Sequence, residues 1–243
     1  VTADLPDEPN DMLAVFFGPG QWNSYYPCAW SKTNLFEVID DDGDELVDVD
    51  EEITEGKIVT SNSYTLSAMA ADCGADAFQL GIARDTREAL KEKLRQALYA
   101  DVIITSGGVS VGDFDFVKDV LKELGSEMKF WKVAMKPGKP LAFGTIGGKP
   151  AFGLPGNPVS CMVCFEQFVR PSILKMMGHN RIYRPVINAT LKEDIKKKTG
   201  RKHFMRSFVR LEEGQYTVTT AGDQGSGILK SMVAANALLI FPE

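Results

Sequence analysis

A short apolar run, Asp101-Val102-Ile103-Ile104-Thr105, constrains the fold of this chain more than any other segment. Its consecutive β-branched residues predict a strand that is buried on both faces, and such strands are typical of parallel sheets. An alternating strand at 77–83 and an amphipathic helix at about 88–98 precede the run, and a helix at about 115–124 follows it. This alternation predicts a mostly parallel sheet that helices cover on both sides, a three-layer α/β/α architecture.

Two further helices are predicted from the residues at their ends. One begins near Ser61-Asn62 and ends at Gly74, because serine and asparagine suit a helix start and glycine suits its end. The other begins at Asn157-Pro158, with asparagine as N-cap and proline at the first helical position, and runs to Gly178.

The predicted secondary-structure pattern changes after Gly178, where short strand-like segments replace the alternation of strands and helices. We therefore predict an α/β domain at 36–178 and a small C-terminal β domain at 179–243. Residues 1–35 show neither a helical nor a strand period, so they remain an unassigned N-terminal segment.

Charge and composition argue against several classes of function. The chain carries 33 acidic and 27 basic residues, a net charge of −6, which argues against a general nucleic-acid binder. No stretch approaches the roughly 20 continuous apolar residues of a membrane span, and the first residues lack the pattern of a signal peptide. Four cysteines are too few and too scattered for a disulfide framework. We therefore expect a cytoplasmic, reduced protein without nucleic-acid or membrane partners.

A glycine-rich segment at 105–113 separates the buried strand from the helix that follows. In open α/β sheets, ligands bind outside the carboxyl ends of the strands, and glycines let the backbone approach an anion closely. Ser106, Gly107, Gly108 and Ser110 are therefore candidate ligand contacts, with a plain tight turn as the alternative. The segment fits neither the Walker A motif nor G-x-G-x-x-G, so a standard nucleotide loop is not expected.

Three carboxylates near strand ends are candidate metal ligands. Asp85 and Asp115 each lie at the start of a predicted helix, where an N-cap or a favourable contact with the helix dipole is the simpler role. A carboxylate at a strand end can also hold Mg²⁺. Glu45 closes an acidic run whose spacing does not fit a calcium-binding EF-hand loop, and it stays a candidate contact for metal or substrate.

Three lysines, Lys132, Lys136 and Lys139, crowd a strand end and a Pro-Gly turn. Ammonium groups held close together repel one another unless an anion lies between them, so the cluster predicts an oxyanion pocket. Solvated surface lysines are the alternative. Further along the chain, Pro155 and Pro158 fix the backbone on both sides of a glycine and predict a rigid entry into the next helix.

The cysteine pair and the histidines carry weaker signals. Cys161 and Cys164 lie on one face of a predicted helix with apolar neighbours, and the chain offers no second cysteine pair to complete a zinc site. Core packing is therefore the favoured role for both thiols. His179 and His203 stand apart from any cysteine or acid at catalytic spacing, and no role is assigned to them.

Several of these segments together resemble the molybdopterin molybdotransferases, the family of MoeA and the gephyrin E domain. The resemblance covers residues 36–243, and its motifs occur in the family's order. The matching segments are 43–47, 61–63, 105–115, 130–140, 153–160, 200–206 and 222–226.

The resemblance implies a MogA-like fold and an Mg²⁺-dependent reaction in which adenylylated molybdopterin binds, molybdate is inserted at its dithiolene and AMP is released. Glu45, Asp85 and Asp115 match the family's functional carboxylates, for metal or pterin, and Lys132 and Lys136 match its basic ligand contacts. The remaining positions implied to bind the ligand are Ser106, Gly107, Gly108, Ser110, Lys139, Pro155, Pro158, Arg206 and Ser226.

The resemblance also implies a homodimer, with a molybdopterin adenylyltransferase and apo-molybdoenzymes as protein partners. Two other functions stay open: molybdopterin adenylyltransferase activity on the same α/β fold, and a non-catalytic scaffold of the gephyrin E type. Relative to full-length members, we expect most of the N-terminal domains and the last strands to be missing. We therefore expect this chain to fold its α/β domain but to be a poor enzyme by itself.

Overall fold

The computed structural model describes residues 11–16, 34–40, 46–48, 51–52, 58–83, 86–107 and 115–243, with the backbone alone at 11–16, 34–40 and 115–118. These residues form two compact units. The α/β unit comprises the described residues from Asn34 to Val133 and from Gly138 to Ile182, and the β unit comprises Asp11–Phe16, Ala134–Pro137 and Tyr183–Glu243. No helix in the described ranges is long and apolar enough to cross a membrane.

Strands and helices are numbered in chain order. The strands are β1 (Asp11–Phe16), β2 (Asn34–Asp40), β3 (Leu46–Val47), β4 (Ile58–Val59), β5 (Asp76–Ala83), β6 (Val102–Ser106), β7 (Glu127–Phe130), β8 (Met135–Lys136), β9 (Ala142–Ile146), β10 (Lys149–Leu154), β11 (Val186–Leu191), β12 (Lys202–Glu212), β13 (Gln215–Thr220) and β14 (Ala237–Phe241). The helices are α1 (Asn62–Asp72), α2 (Arg87–Ala97), α3 (Asp115–Glu123), α4 (Pro158–Cys164), α5 (Arg170–Met176) and α6 (Leu229–Ala234).

A six-stranded sheet with the order β5-β2-β6-β10-β9-β7 forms the centre of the α/β unit. Four neighbouring strands, β5, β2, β6 and β10, are parallel, and β9 runs antiparallel to both β10 and β7. The chain passes through α1 from β2 outward to β5, and through α2 back to β6 on the other side of β2. Right-handed crossovers in these opposite directions place α1 and α2 on opposite faces of the sheet. The predicted three-layer α/β/α architecture is confirmed, with α4 packed against α1 and α3 against α2.

The core between the sheet and α2 follows directly from the sequence pattern. Leu90, Leu94 and Ala97 recur at helical spacing, so they form one stripe of α2, and all three are buried. They pack with Ile103, which is completely buried like its neighbours in β6. Complete burial of one such aliphatic side chain contributes about 1.5–3 kcal/mol. The prediction that β6 is covered on both faces is therefore confirmed.

The helix predicted from 157 to 178 is continuous, but it contains a change of pitch. After α4 the chain forms a π-helical turn, Phe165–Val169, and α5 begins at Arg170, one residue before Pro171. In a regular α-helix, proline removes a hydrogen bond and its ring clashes with the carbonyl of the preceding turn. A wider π turn at this place relieves the crowding, and Arg170 N–H donates to the carbonyl of Phe165.

The sheet of the β unit closes on itself. Its order is β13-β11-β1-β14-β12-β8, and β13 also pairs with β12, so five strands form a ring and β8 is added beside β12. In this ring β1 lies antiparallel between β11 and β14. Alternate residues of the strands point into the ring and are buried there, including Ala189, Val209, Val218, Leu239 and Phe241.

The domain limits differ from those predicted. The unassigned N-terminal segment contains β1 of the β unit and the first residues of β2, which begins at Asn34. The chain passes into the β unit between Ile182 and Tyr183, slightly beyond the boundary predicted at 178–179. β1 has an apolar sequence without alternation, and its pairing partners are distant in the chain, so no local period identifies it.

Candidate functional site

The candidate site residues of the α/β unit follow the carboxyl ends of its parallel strands. Ser106 is the last residue of β6 and Leu154 the last residue of β10, and these two residues are register partners. β2 lies beside β6 and β5 lies beside β2, all in the same orientation, so their carboxyl ends reach the same edge of the sheet. In open α/β sheets this edge is where ligands bind.

A buried polar network joins three segments at this edge. The Asn62 side-chain amide, at the first residue of α1, donates to Ser106 Oγ at 2.7 Å and to the Gly156 carbonyl at 2.8 Å. Ser106 is 1% exposed and Asn62 is 8% exposed, so water does not compete for the bond between them, whereas Gly156 is exposed. Asn62 therefore fixes the end of β6 relative to the loop after β10.

Asn62 is a site residue that the sequence analysis did not single out. It was considered only as part of the Ser61-Asn62 start of a helix, where a side-chain cap was expected. In the structure Ser61 is the N-cap but makes no side-chain cap hydrogen bond, and the Asn62 amide crosses to Ser106 instead. The signal available in the sequence was the Ser-Asn-Ser segment itself, which the family resemblance includes.

Glycine is required where β6 ends. Gly107 has φ +93°, a conformation that a residue with a side chain rarely adopts, and its N–H donates to the Leu154 carbonyl at 3.1 Å. A Cβ added to Gly156 would lie 3.7 Å from Gly107 Cα, so two glycine backbones run side by side at this edge. Gly108 and Ser110 lie outside the described residues, so their predicted contacts stay predictions.

The segment after β10 leads into a helix that begins at Pro158, as predicted, but the cap of this helix differs. Pro155 is buried and Pro158 is the first residue of α4. Asn157 occupies the N-cap position, and its carbonyl accepts from Cys161 N–H at 2.9 Å. Its side chain makes no cap hydrogen bond, so the proline and the backbone, not the Asn157 amide, define this helix start.

The carboxylates predicted to bind metal are only partly covered by the described residues. Glu45 and Asp85 lie outside them, and for Asp115 the backbone is described, as the first residue of α3. The prediction that Asp85 caps α2 is wrong: Thr86 is the N-cap, and its hydroxyl accepts from Ala89 N–H at 3.2 Å. Among the described side chains, no group of three or more His, Cys, Asp or Glu residues could hold a metal ion.

The three candidate lysines belong to different units. Lys132 and Lys139 lie in the α/β unit, where Val133 N–H donates to the Lys139 carbonyl at 3.0 Å, and both side chains are exposed. Lys136 is exposed on β8 and belongs to the β unit. The expectation that all three surround one anion therefore stays a prediction.

Arg206 of β12 is the largest completely buried side chain in the described residues, at 1% exposure. Its guanidinium donates to Ser231 Oγ at 3.0 Å and to the carbonyls of Gly225 and Asp223 at 3.0 and 3.3 Å. Burial lowers the pKa of this guanidinium, and the Asp223 carboxylate opposes that shift. The side chain of Gln224 adds two bonds to the Arg206 backbone.

These bonds give Arg206 a positioning role for the loop that holds Ser226. The loop carbonyls on both sides of Gln224 are fixed by Arg206, and Asp223 accepts from Gly225 N–H at 2.8 Å. Ser226 is half-buried directly after this fixed stretch. A ligand contact by the Arg206 guanidinium, which the family resemblance implies, stays a prediction.

Cys161 and Cys164 are almost completely buried, in agreement with core packing. The Ser106 hydroxyl lies 3.7 Å from Cys161 Sγ, and Cys164 Sγ lies 3.6 Å from the Gly138 carbonyl. Burial raises the pKa of the Cys164 thiol to about 12, so the thiolate needed for metal binding or nucleophilic attack does not form near neutral pH.

Comparisons with known families agree with this architecture. The family described as "Probable molybdopterin binding domain" matches residues 43–175, and "MoeA C-terminal region (domain IV)" matches residues 188–243. A solved structure titled as the molybdopterin biosynthesis MoeA protein from Pyrococcus horikosii superposes with a TM-score of 0.69 at 31% identity, over 87% of this chain and 50% of that chain.

Curated relatives carry the same name. The chain is 39% identical over 204 residues to the molybdopterin molybdenumtransferase of Haemophilus influenzae, covering 83% of this chain and 50% of the relative. It is 38% identical over 206 residues to the protein of that name from Nostoc sp., covering 82% of this chain and 47% of the relative. The chain thus spans about half the length of the curated relatives that it matches.

Proposed function

Because this chain belongs to the molybdopterin-binding domain family, in the arrangement found in MoeA-type molybdopterin molybdenumtransferases, we propose that it acts in molybdenum cofactor biosynthesis. The proposed reaction is the insertion of molybdate into adenylylated molybdopterin, with release of AMP. Molybdopterin and molybdate are substrates in this proposal, and Mg²⁺ is the resident metal ion.

One observation carries the proposal. At the carboxyl ends of β6 and β10, Asn62 holds Ser106 and Gly156 together, and a Cβ added to Gly156 would lie 3.7 Å from Gly107 Cα. A rigid edge of this kind, made of glycine backbone, lets the flat and anionic pterin substrate approach the main chain. Gly108 and Ser110, next in sequence, are proposed to donate to the same substrate.

The carboxylates are proposed to organise the metal. Glu45, Asp85 and Asp115 follow β2, β5 and β6 in sequence, and these strands are neighbours with the same orientation. Oxygen ligands at such strand ends suit Mg²⁺, which, when bound, would neutralise charge on the substrate phosphates. The finding that Thr86 caps α2 supports a role for Asp85 beyond capping.

The basic and rigid residues are proposed to hold the substrate. Lys132, Lys136 and Lys139 would neutralise the anionic groups of molybdate and the pterin phosphates. The rigid segment with Pro155 and Pro158 would form one wall of the pocket. In the β unit, Ser226 is proposed to contact the ligand, and Arg206 is proposed to hold the Ser226 loop in place, with a direct ligand contact as its further role.

The oligomeric state, the protein partners and the compartment of the reaction are proposed from the similarity of this chain to its family. A homodimer, exchange of substrate with a molybdopterin adenylyltransferase and delivery of product to apo-molybdoenzymes all fit the proposed reaction. A reducing cytoplasm suits the buried cysteines Cys73, Cys161 and Cys164.

The purified chain should be tested first for binding and then for turnover. We expect adenylylated molybdopterin to bind in an Mg²⁺-dependent manner, with little or no AMP release when molybdate is added. Lys132→Ala should weaken binding, whereas Lys175→Ala, an equally exposed lysine on α5, should not. Absence of any pterin binding by the folded chain would contradict the proposal, and family-level AMP release would contradict our expectation of a poor enzyme.

A further inference from the structure

His203 is buried, and one of its two ring nitrogens has no hydrogen-bond partner among the described residues. It lies near the start of β12, where it is paired with Phe241 of β14 on one side and with Lys136 of β8 on the other. The residue is 7% exposed, and its Nε2 atom has no hydrogen-bond partner among the described residues. A polar atom left unpaired at this depth is costly unless a ligand or ion satisfies it.

Among the described residues, the charged groups that shift the pKa of His203 are cations. Burial is the largest influence that lowers the pKa of His203, and Lys197, Lys136 and Arg201 each lower it further. Lys136 comes from β8, Arg201 directly precedes β12, and Lys197 comes from the loop after β11, whereas β14 presents the apolar Phe241. Three positive charges around an unpaired imidazole repel one another in the absence of an anion.

The cluster is held in place by the fold. The Lys197 ammonium donates to the Arg201 carbonyl at 3.4 Å and to the Pro242 carbonyl, so it ties the loop to both flanking strands. Met135 and Lys202 begin the short parallel pairing of β8 with β12, Lys136 is the register partner of His203, and Lys202 N–H donates to the Ala134 carbonyl at 2.9 Å. Arg201 and His203 are therefore fixed beside Lys136 within one unit.

We propose that Lys136, Arg201 and His203 form a binding site for a tetrahedral oxyanion, a sulfate- or phosphate-type group, in which His203 Nε2–H donates to one oxygen. The Arg201 guanidinium can bind two oxygens at once, and the Lys136 ammonium adds a point charge. The depth of Nε2 favours a small anion over the flat surface of a polyanionic macromolecule. Neither Arg201 nor His203 has a part in the function proposed above, and Lys136 is shared with it.

Binding of such an anion is coupled to protonation of His203. In the free protein the surrounding cations disfavour the imidazolium, and a bound dianion reverses that field. Because linkage is reciprocal, the anion raises the proton affinity of His203 by the same factor by which protonation raises the affinity for the anion. The site should therefore bind oxyanions more tightly at lower pH.

The test uses the full chain, with ¹³C-labelled histidine and sodium sulfate as the probe, because sulfate stays dianionic between pH 5 and pH 8. The chain has two histidines, so His179→Gln assigns the spectrum and His179 serves as the internal control. We expect the pKa of His203 to lie below that of an ordinary histidine without sulfate, and to rise when sulfate saturates the chain. Protonation of His203 should raise the affinity for sulfate about tenfold for each unit by which bound sulfate raises the pKa of His203.

Three variants sharpen the test. His203→Gln keeps a neutral donor and should bind sulfate with an affinity that no longer depends on pH. Arg201→Gln should weaken sulfate binding at least about tenfold, which is the effect of losing a charge-assisted pair. Lys198→Gln removes the same charge from an exposed neighbour of the cluster and should change the affinity less than about twofold.

The source of the oxyanion is distinguished by a second probe, glycerol phosphate. Equal binding of sulfate and glycerol phosphate supports a site for the phosphate group of a larger molecule, and binding of sulfate alone supports a site for a free oxyanion. An unchanged His203 titration at saturating sulfate, or an equal loss in Lys198→Gln and Arg201→Gln, would overturn the proposal. Pterin binding takes no part in these measurements, so their failure leaves the proposed function standing, and failure of pterin binding leaves this site standing.

Discussion

The bond between Asn62 and Ser106 makes a quantitative prediction about the edge of the sheet. Asn62→Ala removes two donors: the one to Gly156, an exposed residue whose carbonyl water can reach, and the one to Ser106, which is 1% exposed. The first loss should cost about 1 kcal/mol, the net contribution of an ordinary hydrogen bond. The second should cost about 1–3 kcal/mol, because the Ser106 oxygen loses its donor where water does not replace it. We therefore expect Asn62→Ala to lower the free energy of unfolding by about 2–4 kcal/mol.

A double-mutant cycle isolates the part of this free energy that depends on both Asn62 and Ser106. Once Ser106→Ala has removed the hydroxyl, Asn62→Ala no longer leaves a buried oxygen without a donor, so the two losses should not add. We expect a coupling free energy of about 1 kcal/mol or more between the two positions. Asn157→Ala is the matched control, because Asn157 is exposed and makes no side-chain cap bond, and it should cost less than about 0.5 kcal/mol.

Equilibrium urea unfolding followed by far-ultraviolet circular dichroism measures these free energies. Hydrogen exchange of the peptides that contain α1 and β6 shows whether the affected transition belongs to the α/β unit. A coupling free energy of zero within error would show that the Asn62–Ser106 bond does not hold the two segments together. The same conclusion would follow if Asn157→Ala destabilised the chain as much as Asn62→Ala.

Three further predictions concern packing, pH and the metal. In thermal unfolding, Gly144→Ala should lower the stability by about 1–3 kcal/mol, because the added Cβ would lie 2.4 Å from a backbone oxygen of β7. Gly156→Ala is the control and should fold normally, because its Cβ would meet its nearest neighbour at 3.7 Å. Equal melting of the two variants would refute the packing argument. The pKa of His203 is lowered in the folded chain, so the unfolded chain binds the proton first as the pH falls, and the stability attributable to this residue is intact above about pH 6.5 and falls below it. In urea titrations without sulfate, His203→Gln should therefore show a shallower loss of stability between pH 6.5 and pH 5.5. Identical slopes for the variant and the parent chain would argue against this prediction. Asp85→Asn should melt like the parent chain, since Thr86 caps α2, but pterin binding by this variant should no longer depend on Mg²⁺. Unchanged Mg²⁺ dependence would remove Asp85 from the proposed metal site.

The α/β unit was predictable from the sequence because its signals are local. The buried run of β6, the apolar stripe of α2 and the end signals of α1 each act over a few residues, and the right-handed crossover rule then limits how these elements assemble. The glycine-rich segment after β6 was recognisable for the same reason: Gly107 has a positive φ that follows from the turn itself.

What the sequence did not reveal depends on contacts between distant residues. Asn62 reads as part of a helix start, and only the packed sheet shows that its amide reaches the end of β6. Asp85 and Thr86 are both good N-cap residues, so the sequence alone does not decide between them. Lys136 was grouped with its neighbours Lys132 and Lys139, because nothing local indicates that 134–137 pairs with β12.

His203 illustrates the same limit for chemistry. As a lone histidine in the sequence it pointed to no function, since a catalytic or metal-binding pattern requires partners at recognisable spacing. Its cationic neighbours come from two separate segments, β8 and the loop between β11 and β12, and its depth follows from strand pairing. Both facts arise from the assembled sheet, so a search for sequence motifs does not find this cluster.

The position of β1 in the closed ring of the β unit has a consequence for how the chain folds during synthesis. β1 leaves the ribosome before every strand that pairs with it, and its partners lie in β11 and β14, near the other end of the printed sequence. Contacts over such a separation form slowly, because the long intervening chain must first be ordered. The strands of the α/β unit are paired with strands that lie closer in sequence, such as β10 with β9 and with β6, and this unit should fold earlier. Until β11 has been made, β1 has no partner strand, and a chaperone or a second chain could bind it. The ring can close only after β14 has been made.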